Sequence, residues 1–141
     1  MAQVSDLRLG EFLDTREKII DIPNVLAISE NWHKTGVRWK LVTGYFDVLT
    51  PDHVRSLQAS AKGGPLIAAV LDQPDSLLPQ RARAELAAAL RVIDYVLLLQ
   101  DTEHLEGVIQ KLQPPELIRA EKSDQRRSQA LIEHVHQRQK A

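Results

Sequence analysis

The sequence contains no cysteine, which excludes disulfides, thiolate metal sites and cysteine nucleophiles. It also lacks a charge imbalance: 18 lysines and arginines face 19 aspartates and glutamates, a formal net charge of −1 at pH 7. No broad attraction to nucleic acid or to an anionic membrane surface is therefore expected. Long apolar runs are missing as well. Runs such as residues 66–71 and 96–99 fall far short of the roughly 20 residues that span a bilayer. The opening residues 1–8 are polar, without the apolar stretch of a signal peptide. A soluble, cytoplasmic protein is the expectation. There is no P-loop, no G-x-G-x-x-G fingerprint and no serine–histidine–acid arrangement. Internal repeats and low-complexity tracts are absent too.

What is present suits one domain: 141 residues can build a single core, and the apolar and charged fractions are ordinary for a globular protein. Residues 39–42 form a short apolar run that reads as a buried strand. The stretch Thr43-Gly44-Tyr45-Phe46-Asp47-Val48-Leu49-Thr50-Pro51-Asp52-His53 follows as a glycine-containing turn. Val54, Leu57 and Ala61 then recur at helical spacing until Gly63-Gly64. A strand, a turn and a helix opening make half of a βαβ unit. In open α/β sheets, ligands bind in the crevice at the carboxyl ends of the strands. His53, in the first turn of that helix, falls beside the crevice.

The alternation continues along the chain. A helix is expected from Asp21-Ile22-Pro23 through Lys34, stopped by Gly36, with Ile22, Leu26, Ile28 or Ser29, and Trp32 as its buried stripe. Residues 65–71 are continuously apolar, as a parallel strand covered on both faces should be. After a loop at 73–79, a helix is expected from about Gln80 to Arg91, with Leu86 and Leu90 on its apolar side. Residues 94–99 read as the next strand. Thr102 then reads as an N-cap, ahead of an amphipathic face of Leu105, Val108, Ile109 and Leu112. Pro114-Pro115 ends that helix, residues 116–120 form a short last strand, and a helix runs from Arg127 to about Gln139. Upstream, Leu7, Leu9, Phe12 and Leu13 read as one side of a short helix. The division is an N-terminal extension, 1–17, and a main domain, 18–141. The order predicts an α/β fold: a Rossmann-like three-layer α/β/α arrangement with a small parallel sheet and right-handed crossovers.

Gly44, Phe46, Asp47 and His53 stand at four of the six fixed places of the signature G-x-F-D-x-x-H-x-G-H. On these residues the chain resembles the cytidylyltransferase-like nucleotidyltransferases. Residues 83–96 resemble that family's R-x-x-x-L-x-A-L-x-x-V-D-Y-V segment, and residues 105–114 its L-I-x-x-L-x-P helix. The resemblance covers roughly residues 18 to 135. It is greatest to the adenylyltransferase domain of bacterial ADP-heptose synthases, with glycerol-3-phosphate cytidylyltransferases next. The resemblance implies transfer of AMP or CMP from Mg2+-bound ATP or CTP to a phosphorylated sugar or alcohol, with release of pyrophosphate. The implied partners are a nucleotide, a small phosphorylated metabolite and a second copy in a homodimer. In the family, the signature histidines donate to nucleotide phosphates at a helix N-terminus, where free N–H groups and the dipole favour anions. Carried over, His53 is the catalytic candidate. Thr43, Gly44, Tyr45, Phe46, Asp47, Thr50, His53, Arg119, Lys122 and Ser128 are the nucleotide-binding candidates, with no protein ligand to a metal.

The signature departs from the family at two places: Thr50 stands for the first histidine and Asp52 for the glycine. Loss of one such donor costs roughly 3–4 kcal/mol in a comparable oxyanion site. A carboxylate in place of the glycine adds bulk and repulsion where phosphates approach the backbone. Thr50-Pro51-Asp52 is equally a good helix start in its own right, with Thr as N-cap, Pro at N1 and an acid in the first turn. On that alternative reading the chain is a catalytically inactive relative, acting as a nucleotide- or sugar-phosphate-binding or dimeric interaction module. Further on, Glu121-Lys122-Ser123-Asp124 replaces the family's lysine- and glycine-rich turn, and only Ser128 remains of a later phosphate-touching element. Arg126-Arg127, read as a helix start, sets cations where the dipole disfavours them; an anion between that helix and the signature helix is one explanation. Arg55, Arg81 and Arg83 are further phosphate candidates, against a reading as solvated surface charge. His134 and His136, two apart on a helix, do not face each other and make no metal pair. His33 and His104 are isolated and expected to be exposed.

Overall fold

The computed structural model describes residues 14–140. The helix expected from Leu7, Leu9, Phe12 and Leu13 lies outside the described residues. A 3₁₀ turn at Thr15–Lys18 leads into helix α1, Ile22–Thr35, whose N-cap Asp21 accepts from the Asn24 N–H. Gly36 ends α1 in the left-handed region, φ = 72°, which glycine adopts without a Cβ clash. Strand β1, Lys40–Gly44, precedes helix α2, Pro51–Ser60. Strand β2, Leu66–Leu71, helix α3, Gln80–Ala88, and strand β3, Tyr95–Leu99, follow. Helix α4, Thr102–Leu112, strand β4, Glu116–Arg119, and the long helix α5, Glu121–Lys140, complete the chain.

The four strands pair in the order β3-β2-β1-β4, all parallel. Helices cover both faces, which is the three-layer arrangement that the apolar runs call for. Alternate strand residues go to opposite sides, as the two-residue period requires. On one face Leu41, Ile67, Ala69 and Leu97 pack against Val25 and Trp32 of α1 and Leu105, Val108 and Leu112 of α4. On the other, Val42, Ala68, Val70 and Val96 meet Leu57 of α2 and Ala84, Ala87 and Ala88 of α3. Ahead of the first helix, Ile19 bridges Val96 in parallel beside β3, and the Lys18 ammonium donates to the Leu90 and Ile93 carbonyls at 3.1 and 2.9 Å. Gly64 lets the turn after α2 pass close to β1, because a Cβ there would collide with the Arg38 carbonyl oxygen.

Several boundaries and faces differ from the sequence reading. Leu86 is 47% exposed, since α3 turns its small face of Ala84, Ala87 and Ala88 inward and Leu86 is out of phase with it. That helix stops at Ala88, and Leu90 is half-buried beyond it. In α1 the buried stripe is Val25, Ser29 and Trp32, with Ile22, Leu26 and Ile28 at its margin. Asp101, one residue before Thr102, caps α4: it is the residue with extended dihedrals, and its carboxylate accepts from the His104 N–H at 2.8 Å. Helix α5 starts at Glu121, six residues before Arg127, because Glu121 and Asp124 supply the acids that a first turn favours.

The strand order has a functional consequence. The chain leaves β1 for β2 on one side and reaches β4 on the other, so the ends of β1 and β4 flank a topological switch point.

Candidate active site at the end of the first strand

At this switch point β1 ends in Thr43 and Gly44, both buried, and the 45–49 loop carries the chain into α2. The Thr50 hydroxyl caps α2 by accepting from the His53 N–H at 3.3 Å, with Pro51 as the first helical residue. Phe46 sits at φ = 54°, a left-handed conformation that costs a non-glycine residue about 1–3 kcal/mol. Complete burial of its ring, 5.6 Å from the His53 ring, offsets that cost.

The loop amides face an anion supplied by α5. Asp124 is 1% exposed, and its Oδ2 accepts from the Tyr45 N–H at 2.8 Å and from the Phe46 N–H at 3.2 Å. Its Oδ1 pairs with the Arg127 guanidinium and lies 3.6 Å from Nε2 of His53. Gly44 makes room for this carboxylate, because a Cβ at Gly44 would overlap Asp124 Oδ2. The Thr43 hydroxyl donates to the Glu121 carboxylate, the Ala120 N–H donates to the Thr43 carbonyl at 2.8 Å, and Arg127 Nε donates to the Val48 carbonyl at 3.0 Å. The β4–α5 junction is thus fastened to the whole signature loop. Between α2 and α5 a cleft of about 190 Å3 opens above Val42, Leu57 and Ile118, rimmed by His53, Ser123 and Arg127.

His53 is 6% exposed, and among the described residues neither ring nitrogen has a partner at full hydrogen-bond geometry. Burial pushes its pKa below the ordinary 6.5; the Asp124 carboxylate opposes that shift and Arg127 reinforces it. A lowered pKa means that the folded protein holds this proton less tightly than the unfolded chain does. The stability that His53 contributes is therefore complete above pH 6.5 and drains away as pH falls through the lower folded value. The melting temperature should fall between about pH 7 and about pH 5, and a His53→Phe variant should show a flatter profile over that window. Parallel slopes in the two proteins would assign the loss to another group.

The remaining predicted residues are placed as follows. Asp47 is 6% exposed and turns to the 73–79 loop, where its two oxygens accept from the Leu77 and Leu78 N–H groups at 2.7 and 3.0 Å. Arg119 makes a two-pronged pair with Glu106 of α4, both contacts at 2.8 Å. Lys122 is exposed on the first turn of α5, and Ser128 is half-buried one turn after Asp124. The structure therefore gathers Thr43, Gly44, Tyr45, Phe46, Thr50 and His53 around one point, with Asp47 and Arg119 engaged elsewhere. Arg81 and Arg55 pair with Glu85 and Asp52 on their own helices. Arg83 is fully buried and bound to backbone carbonyls, not solvated. His33 is exposed, though its Nε2 lies 3.2 Å from the Leu112 carbonyl; His104 is half-buried, and its Nδ1 accepts from the Gln100 N–H. Asp124 was not among the sequence candidates. Its only signal there is an acid in the first turn of the last helix, three residues before an arginine.

No protein-family model matches the chain. It is 31% identical over 111 residues to the bifunctional protein HldE of Gluconobacter oxydans, an alignment covering 72% of this chain and 23% of HldE. The HldE of Nitratiruptor sp. is 30% identical over 114 residues, 74% of this chain and 24% of that protein. The FAD synthase of Methanohalophilus mahii is 33% identical over 81 residues, 52% of this chain and 56% of that enzyme. The chain is a homologue of these proteins. At the level of family it is nucleotidyltransferase-like, in agreement with its signature loop. This nucleotidyltransferase-like chain spans about a quarter of the length of the HldE proteins it matches. Among its described residues no helix is long and apolar enough to cross a membrane.

Proposed function

We propose that this nucleotidyltransferase-like chain binds the phosphates of ATP, CTP or a phosphorylated sugar at the junction of β1, α2 and β4, and that it does not transfer AMP or CMP. The observation that carries the reading is the convergence of the Tyr45 and Phe46 amides on one anionic oxygen, with His53 and Arg127 beside it. Convergent backbone N–H groups at the entry to a helix form a phosphate site by ordinary electrostatics.

Transfer asks for more than this site offers. Thr50, where the signature has a histidine donor to phosphate, accepts from the His53 N–H as a helix cap, and its short side chain holds the hydroxyl close to the backbone, without the reach of an imidazole. Asp47 commits both oxygens to backbone amides, so the loop has no free carboxylate to hold magnesium. Mg2+ would arrive with the triphosphate, held by its oxygens and by water. One observation favours retained transfer: the buried His53 ring is a donor in the first turn of α2, with only a long 3.6 Å approach from its Nε2 to Asp124 among the described residues.

A thermal-melt titration with ATP and CTP, each with magnesium, tests the binding. A ligand at about a hundred times its dissociation constant adds roughly 2.7 kcal/mol, a shift of several degrees for a chain of this size. That shift should appear in the wild type and vanish in His53→Ala. No shift with either nucleotide would overturn the binding reading. Pyrophosphate release in the presence of sugar phosphates would overturn the absence of transfer.

A further inference from the structure

The anion in this site belongs to the chain itself. We propose that the Asp124 carboxylate is a resident occupant of the phosphate site, and that an incoming phosphate binds by displacing it, so that ligand binding and docking of the first turns of α5 exclude each other. The inference rests on the binding reading above and adds the step that controls it.

The contacts of Asp124 are those a phosphate would make. One oxygen receives both loop amides, the other meets a guanidinium, and a histidine ring faces the pair. Charge-assisted bonds of this kind are short and strong, and at 1% exposure they are hardly screened by water. Gly44, whose lack of a side chain would let a phosphate approach the backbone, here admits the Asp124 carboxylate.

Helix α5 is built to let go. Beyond the Ala120 bond to the Thr43 carbonyl that ends β4, its first turns are held by Asp124, by the Glu121–Thr43 contact and by the bond from Arg127 to Val48. From Gln129 onward every described residue is exposed except Ile132, which is half-buried, and Leu131 and Val135 stand 38% and 44% exposed. Little of the helix beyond its first turns resists movement. When Asp124 leaves, the Tyr45 and Phe46 amides and the His53 ring, which stay with the signature loop and α2, are open to the incoming phosphate. The observed affinity is then the intrinsic affinity reduced by the fraction of molecules in which Asp124 is out.

Calorimetric titration with inorganic pyrophosphate separates this from a purely structural role for Asp124. Asp124→Ala should bind pyrophosphate at least tenfold more tightly than the wild type. Asp124→Asn, nearly isosteric but uncharged, should also tighten binding, and it decides the matter if the alanine variant does not fold. Equal or weaker binding in a folded variant would make Asp124 a structural peg and overturn the proposal. Amide hydrogen exchange supplies a test on the wild type alone. Saturating pyrophosphate should speed exchange at Asp124 and Arg127, and a first turn that stays equally protected would overturn the proposal. The probe carries no nucleoside, so a positive result stands even if ATP and CTP leave the wild type unshifted. Conversely, nucleotide binding that Asp124→Ala does not tighten would spare the binding reading and sink this one.

Discussion

Replacing Arg83 with alanine is expected to lower folding stability by about 3–5 kcal/mol and to unfasten the signature loop from the rest of the crevice. The Arg83 side chain is completely buried. Its Nε donates to the Leu78 carbonyl at 3.0 Å, and its Nη1 donates to the Tyr45 and Leu71 carbonyls at 2.6 and 2.8 Å. These carbonyls belong to the signature loop, to the end of β2 and to the 73–79 loop that follows it, so one guanidinium ties the signature loop to the chain leaving β2. Burial pushes the pKa of Arg83 down, while Asp47 and Asp72 hold it up. Each hydrogen bond to a charged group contributes about 1.5–3 kcal/mol, and part of the total offsets the desolvation that alanine would not incur. Urea unfolding of wild type and variant measures the difference. A loss below about 1 kcal/mol would mean that water replaces the guanidinium at all three carbonyls. Lysine should recover only a minor share, because a single ammonium cannot reproduce the planar fork.

Trp39→Ala should cost a similar amount, about 3–5 kcal/mol, through the cavity it opens. Trp39 immediately precedes β1 and is fully buried, with its ring 5.9 Å from Trp32 and 6.2 Å from His33. Trp32 lies in turn 6.1 Å from Tyr95, so this cluster clamps α1 to the sheet across β1 and β3. Aromatic pairs of this kind add about 0.5–1.5 kcal/mol beyond the area they bury. The indole N–H of Trp39 has no hydrogen-bond partner among the described residues, so Trp39→Phe deletes an unpaired donor along with some volume and should cost well under half as much as alanine. The unfolding midpoints of the two variants check this ordering. If Trp39→Ala is the milder change, α1 collapses into the vacated space.

Much of this fold was legible because single residues carry local meaning. The continuous apolar runs of β2 and β3 could only be covered on both faces, and they are. Gly36 and Thr50-Pro51 marked a helix end and a helix start where the structure has them. Neighbouring alternatives were harder. Asp101 and Thr102 can each cap a helix, and only the backbone dihedrals decide between them. Leu86 looked buried because leucine usually is, but the helical phase is set by the three alanines that fit closely against the sheet.

At the crevice, local reading ends for a physical reason. Asp124 binds the Tyr45 amide across 79 residues of chain, and no periodicity encodes such a contact. The oddity of Arg126-Arg127 at a supposed helix start was a real signal with the wrong geometry. The helix begins earlier, and the anion that Arg127 meets is the chain's own aspartate. Arg83 was hidden for a similar reason. An arginine is buried only where several carbonyls need one donor, and those carbonyls meet only once the strands are in order.

The short segment before α1 has a consequence for how these molecules treat one another. A four-stranded parallel sheet leaves two rows of backbone groups open, and open rows template strand addition and aggregation. Beside β3 the row is partly taken, because Ile19 bridges Val96 and the Ile20 N–H donates to the Val96 carbonyl at 3.0 Å. Beside β4 the defence is brevity and charge: four residues, opened by Glu116 and closed by Arg119, both exposed. Neither border offers a neighbouring chain a long, flat, apolar strand to copy, so this sheet is poorly suited to growing into a fibril.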